Sequence, residues 1–145
     1  MGTTTILREV TPLSPENCFI YISRIKSEFT YPIHFHPEFE LNFIENGKGV
    51  KRIVGDSMEE IDDVELVLIT GENLEHVWIN GNCTNDTIQE ITIQFHGDLF
   101  ANVLLKNQFR TIREMFEKAA HGLAFPVETA RKIKPLLVGL GSAED

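Results

Sequence analysis

Apolar and polar residues alternate with a period of two from Thr4 to about His96, and turn residues interrupt the alternation every several positions. The segments between the turns are rich in Ile, Val, Phe and Thr, which favour β-strands. Strands are predicted at residues 4–10, 18–25, 33–44, 50–54, 57–61, 65–69, 76–79 and 88–96. Many short strands at this spacing predict a sandwich or a barrel.

The period changes after Gly97. One helical face carries apolar residues at Ile112, Met115, Phe116, Ala119 and Ala120, and Gly122 is a suitable stop. A second apolar stripe follows Pro126, formed by Val127, Ala130, Ile133, Leu137 and Leu140. We therefore predict a mainly β domain at residues 1–97, followed by a helical extension at residues 98–145.

Polar residues occupy every even position from 34 to 42. On one continuous strand, His34, His36, Glu38 and Glu40 would share a face, and the opposite face would carry Phe35, Phe39, Leu41 and Phe43 as core against the helices. Two imidazoles at i and i+2 point the same way and can bind one metal ion, with a carboxylate as a further ligand. The alternative is an ordinary half-buried strand whose polar face meets water, because parity alone does not tell which face is inside.

Three more residues are candidates for ligand binding. Trp78 shares a face with His76 and is either a pocket wall or plain core. His96 shares a face with Glu90, Thr92 and Gln94, and either lines a barrel mouth or meets solvent at a strand end. Glu38 either contacts a ligand, supports a histidine, or is an exposed carboxylate.

Composition limits the partners. The 145 residues carry 13 basic and 22 acidic side chains, a net charge of −9, which is unsuited to binding nucleic acid. No apolar run approaches the length of a signal peptide or a membrane span, so no membrane partner is expected. Cys18 and Cys83 form no C-x-x-C pair and fit reduced thiols in a cytoplasmic protein.

The spacing His34-x-His36-x3-Glu40-x6-Gly47 resembles the first motif of the cupin family, and His76-x3-Asn80 after Gly71 is similar to the second. The resemblance implies a jelly-roll barrel, also called a double-stranded β-helix. It also implies one divalent metal (zinc, iron, manganese or nickel) held by His34, His36, Glu40 and His76.

A narrower resemblance covers nearly the whole chain. Residues 36–41, 66–69, 74–78 and 93–96 are similar to the sensor domain of AraC-family transcription regulators. It implies a non-enzymatic domain that binds a small polar effector, such as a sugar, and forms a homodimer through its helices. It further implies that DNA is bound only by helix-turn-helix units absent from this chain, which would then be one domain of a longer protein.

Two alternatives stay open at this point. The four metal-ligand candidates could serve a stand-alone metalloenzyme of the dioxygenase or isomerase type, with Glu38 as the nearby candidate base. A purely structural module also fits the composition, but it leaves the stripe of ionisable residues unexplained.

Overall fold

The computed structural model describes residues 5–142, in which ten strands and three α-helices are found. The strands are β1 (Leu7–Arg8), β2 (Phe19–Lys26), β3 (His34–Phe35), β4 (Phe39–Glu45), β5 (Lys51–Val54), β6 (Ser57–Glu60), β7 (Val64–Ile69), β8 (His76–Ile79), β9 (Ile88–Phe95) and β10 (Leu123–Ala124). The α-helices are α1 (Ala101–Leu104), α2 (Arg110–Lys118) and α3 (Val127–Gly141). Short 3-10 turns lie at Asn107–Phe109 and Ala119–His121.

The strands form two five-stranded sheets. One has the order β1-β3-β8-β5-β6, and the other has the order β10-β7-β4-β9-β2. All pairs are antiparallel except β1 with β3. The prediction of a mainly β chain with a few helices is confirmed.

Successive side chains of the second sheet point to its opposite faces, and the apolar ones on each face form a separate core. The inner core lies between the sheets and is formed by Ile44, Val50, Val54, Ile61, Val67, Ile69, Trp78, Cys83 and Ile88. The outer core lies between the second sheet and α3 and is formed by Phe43, Val64, Leu66, Ile91, Ile93, Ala130 and Leu137. Because β7 supplies both cores, every one of its residues is buried.

Two hydrogen bonds from Thr70, the residue that follows β7, connect the second sheet to the helical segment. The Thr70 amide donates to the Ala119 carbonyl at 3.0 Å, and the Thr70 hydroxyl donates to the Phe116 carbonyl at 2.6 Å. Gly122 then turns the chain at a φ of 83°, and a Cβ at this position would lie 2.7 Å from the Val54 side chain. Only glycine fits such a turn without strain.

Six of the predicted strands are confirmed to within one residue at each end. Both predicted helical segments also contain a helix, α2 in the first and α3 in the second. The first predicted strand is shorter, Leu7–Arg8, and Thr4 lies outside the described residues. The helix α1 and the strand β10 were not predicted. The boundary at residues 97 and 98 stays a prediction, and β10 beyond it pairs with β7.

The prediction of one strand over residues 33–44 is wrong. The chain leaves β3 after Phe35 and starts β4 at Phe39, and these two strands belong to different sheets. Pro37 lies in the gap, and a proline cannot donate to a strand ladder. The polar stripe therefore crosses from one sheet to the other.

No helix within residues 5–142 has the length and apolar character that crossing a membrane requires.

The outer core yields a first prediction. Phe43 is fully buried, so Phe43→Ala should lower the free energy of unfolding by about 3–5 kcal/mol through lost burial and a residual cavity. Met58→Ala on β6, where Met58 is 61% exposed, should change it by less than about 0.5 kcal/mol. Urea unfolding measures both, and equal effects would contradict the two-core arrangement.

Candidate metal-binding and ligand site

Three histidines converge between the two sheets. His34 lies in β3, His36 follows that strand, and His76 begins β8 directly opposite His34. One ring nitrogen from each lies within 4.8 Å of the others. All three side chains are buried, with His36 at 1% exposure and His76 at 0%.

Backbone carbonyls orient each ring. The Nδ1 atoms of His34, His36 and His76 lie 2.8 Å, 3.0 Å and 2.8 Å from the carbonyl oxygens of Pro32, Glu38 and Leu74. A carbonyl oxygen only accepts, so each Nδ1 carries the proton and donates it. Nε2 of His34 and of His76 is then available to a metal ion, and His76 Nε2 has no hydrogen-bond partner among the described residues. His36 Nε2 donates to the Glu40 carboxylate and must lose that proton before it binds an ion.

Glu40 in β4 brings a carboxylate to the three rings. Its Oε1 lies 3.1 Å from His36 Nε2 and accepts a hydrogen bond from Gln94 Nε2 at 3.0 Å. Its Oε2 lies 3.8 Å from His76 Nε2. The strand break does not separate these groups, because His36 and Glu40 meet at 3.1 Å although β3 and β4 belong to different sheets.

The electrostatics favour an ionised Glu40. Burial alone raises the pKa of this carboxyl, but the His36 hydrogen bond, the charges of His76 and His36 and the Gln94 hydrogen bond outweigh it and lower the pKa to about 2. Burial lowers the pKa of His76, and the Glu40 charge only partly offsets this. Burial also acts to lower the pKa of His36, but Glu40 and Glu9 reverse the effect and raise it.

These residues fit a divalent metal ion. Three imidazole nitrogens and one carboxylate suit zinc, iron, manganese or nickel. The Nδ1 bonds to backbone carbonyls are the outer contacts that metal-binding histidines usually make. The buried His76 Nε2, which lacks a partner among the described residues, is the atom that such an ion would satisfy.

A cavity of about 250 Å³ adjoins this cluster. This is close to the lower limit, about 300 Å³, of ordinary small-molecule sites, so the space suits a small ligand. The lining residues are Glu9, Pro12, Ile22, Arg24, Lys26, Phe29, Tyr31, His34, Glu40, Asn42, Val77, Trp78, Glu90, Thr92 and Gln94.

A chain of hydrogen bonds runs along one wall of the cavity. Thr92 donates to Asn42 Oδ1 at 2.6 Å, and Asn42 Nδ2 donates to Glu90 Oε2 at 3.2 Å. Lys26 Nζ pairs with Glu90 Oε1 at 2.7 Å. This wall is polar, while Ile22, Phe29 and Val77 supply apolar surface.

The structure places the residues predicted from sequence as follows. His34, Glu40 and Trp78 line the cavity, and His36 and His76 lie beside them in the cluster. Trp78 Nε1 donates to Glu65 at 3.0 Å, and Glu65 also pairs with Arg52.

Two other residues predicted from sequence lie outside the cavity lining. Glu38 is half-buried and supports His36 through its carbonyl. His96 follows the end of β9.

Several lining residues were not found from sequence. Glu9 carries no motif, yet its carboxylate lies 3.7 Å from His36 Nε2 and 3.4 Å from Gln94 Nε2. Tyr31 packs edge-on to His34, and partial burial together with a hydrogen bond to Glu9 raises its pKa to about 12. Arg24 and Asn42 also line the cavity, and in the sequence only the alternation of polar and apolar residues along their strands pointed to this.

Comparison with known proteins gives a fold relationship. The structure is similar to two structures of ToxT from Vibrio cholerae, each with a TM-score of 0.51. Identity is 12% over 83% of this chain in the first, and 11% over 86% in the second, which is from strain O395. The chain spans about half the length of those ToxT chains, 48% and 49%. No family model matches the sequence, and no curated protein matches it.

The ionisation of Glu40 generates a second prediction. Its pKa of about 2 in the folded chain lies below the ordinary 4.5, so its charge stabilises the fold above pH 4.5 and this contribution is lost as the pH falls towards 2. In chelator-treated protein, the stability advantage of the wild type over Glu40→Gln should shrink by about 3 kcal/mol between pH 6 and pH 2.

Urea unfolding at a series of pH values measures this difference. Glu117→Gln, which alters an exposed carboxylate on α2, is the control and should follow the wild type at every pH. Parallel curves for the wild type and Glu40→Gln would contradict the assigned pKa.

Proposed function

We propose that this chain is the effector-binding and dimerisation domain of an AraC-type transcription regulator, built as a cupin-type jelly roll. The cavity between the sheets receives a small polar molecule, and His34, His36, Glu40 and His76 hold one divalent metal at its inner end. DNA binding belongs to a part of the regulator outside this chain.

The observation that carries the proposal is the cavity itself, bounded at one end by converging ring nitrogens and along its wall by a continuous polar chain. The shared fold adds support, because ToxT is a regulator of the AraC family. One ToxT structure contains (E)-4-(8-methylnaphthalen-1-yl)but-3-enoic acid, a small organic ligand. An effector site in this chain is consistent with both.

The chain's own residues explain how a ligand could be sensed. A metal bound here supplies a Lewis-acidic anchor for oxygen atoms of the effector. Strands β4 and β9 carry cavity residues on one face and, on the other, Phe43 and Ile91, which belong to the same core as Ala130 and Leu137 of α3. A ligand that binds one arrangement of these strands more tightly shifts the packing of α3.

Exposed apolar residues on the helical segment support a homodimer. Phe100, Val103, Leu105, Ile112, Leu136 and Val138 are each more than one-third exposed. Contact between these residues and a second copy of the chain would remove apolar surface from water.

A metalloenzyme is the second candidate, favoured by the position of Glu9. This carboxylate lines the cavity beside His36 without belonging to the three-histidine cluster, so it is a candidate proton acceptor. In an enzyme, Glu9→Gln would abolish turnover while metal stays bound. In a sensor, the same variant would alter only ligand affinity.

Metal content tests the site directly. Purified protein should contain close to one divalent metal ion per chain by elemental analysis, and His76→Ala should contain less than about one-tenth of that. His121→Ala removes an exposed histidine at a helix end and should retain the metal. A folded wild-type protein that takes up no zinc, iron, manganese or nickel when each is added would contradict the metal centre.

The dimer is tested by sedimentation. We expect a dimer of the chain in analytical ultracentrifugation, and Leu105→Glu or Leu136→Glu, made separately, should dissociate it because a charge is poorly tolerated in an apolar interface. Met58→Glu, at an exposed position on β6, is the matched control and should remain dimeric. A monomeric wild type, or dimers in all three variants, would refute dimerisation through the helices.

A further inference from the structure

Arg24 in β2 lines the cavity with its charge unpaired. It is exposed, and among the described residues it makes no hydrogen bond or ion pair. The side chain stands beside Glu90, the residue opposite it on β9. Both oxygens of that carboxylate are occupied, Oε1 by Lys26 at 2.7 Å and Oε2 by Asn42 at 3.2 Å.

The other carboxylates of the cavity are also engaged. Glu40 accepts from His36 and Gln94, and Glu9 accepts from Gln94. Lys26 and Glu90 neutralise each other. The two positive charges of a divalent metal ion on the histidines would balance the negative charges of Glu9 and Glu40. The Arg24 guanidinium is then the uncompensated charge of the cavity.

From this arrangement we infer that the effector is a small organic anion whose carboxylate pairs with Arg24 at the outer end of the cavity. A guanidinium presents two parallel N–H donors that match the two oxygens of a carboxylate. This inference rests on the proposed function, since it names the chemical class of the molecule that the cavity receives.

Strand register sets the size of that anion. Glu40 pairs with Gln94 and Arg24 pairs with Glu90, four residues away on β9. At about 3.4 Å per residue the two sites are about 14 Å apart along the strands. Strands β4 and β2 lie on either side of β9, which adds about 10 Å across the sheet. The side chains of both ends extend into the cavity and shorten this gap. Ile22, Phe29 and Val77 line the space and suit methylene groups. A diacid of about three to six carbons fits, with one carboxylate at the metal end and one at Arg24.

The test is calorimetric titration of zinc-loaded protein with malonate, succinate, glutarate and adipate, and with the corresponding neutral diamides. At least one diacid should bind, and its diamide should bind at least tenfold more weakly. Arg24→Gln should weaken diacid binding about tenfold, as expected for a partly exposed charge-assisted pair, and Arg24→Lys should recover part of the loss.

The matched control is Arg131→Gln, which removes the same charge from an exposed position on α3 and should bind as the wild type does. Equal binding of diacid and diamide, or equal binding by wild type and Arg24→Gln, overturns the inference. A zinc-loaded protein that binds a neutral pentose but no diacid also overturns it, while leaving the proposed effector domain standing. Failure of the proposed function is distinct, because a zinc-loaded protein that binds neither a diacid nor the pentose would count against the effector site itself.

Discussion

The Glu40 carboxylate lies at 3% exposure between two β-sheets, where an ionised group is tolerated only if other groups replace its hydration. His36 and Gln94 supply hydrogen bonds, and His76 supplies a ring edge within 3.8 Å. Removing any of these partners leaves a buried charge or a buried ring nitrogen unsatisfied. The interior of this end of the molecule is therefore organised around one carboxylate and three imidazoles, and the apolar inner core fills the rest of the space.

The second sheet gives this arrangement its stability. Its strands present polar residues to the cavity and apolar residues to α3, so the same strands carry the site on one face and the outer core on the other. The outer core packs β4 and β9 against α3 on the face opposite the cavity. The same contact gives a bound ligand a physical route to the helices, since a shift of either strand must be accommodated by Ala130 and Leu137.

Much of this could be predicted from the sequence, because alternation and turn residues are local signals. The strands, the helix after Pro126 and the grouping of His34, His36 and Glu40 followed from spacing. His76 joined this group only through the resemblance to the cupin motifs. The break at Pro37 did not, because parity is the same for a straight strand and for one that crosses between sheets. Glu9 and Tyr31 lie outside the strands and reach the cavity through tertiary packing, which leaves no periodic signal in the sequence. The alternation around Arg24 predicts a strand but not that this strand borders a cavity. Whether the polar stripe is buried depends on the opposite sheet, which the stripe itself does not reveal.

The orientation of the three rings is the feature on which the site depends, and nitrogen-15 NMR of the imidazoles observes it directly. In chelator-treated protein at pH 8, we expect His34 and His76 to carry their proton on Nδ1. Adding one equivalent of zinc should shift the Nε2 signals of His34, His36 and His76. The signals of His96 and His121 should stay unchanged. Protons found on Nε2 of His34 and His76, or Nε2 signals that zinc leaves in place, would contradict the convergence of these nitrogens on one ion.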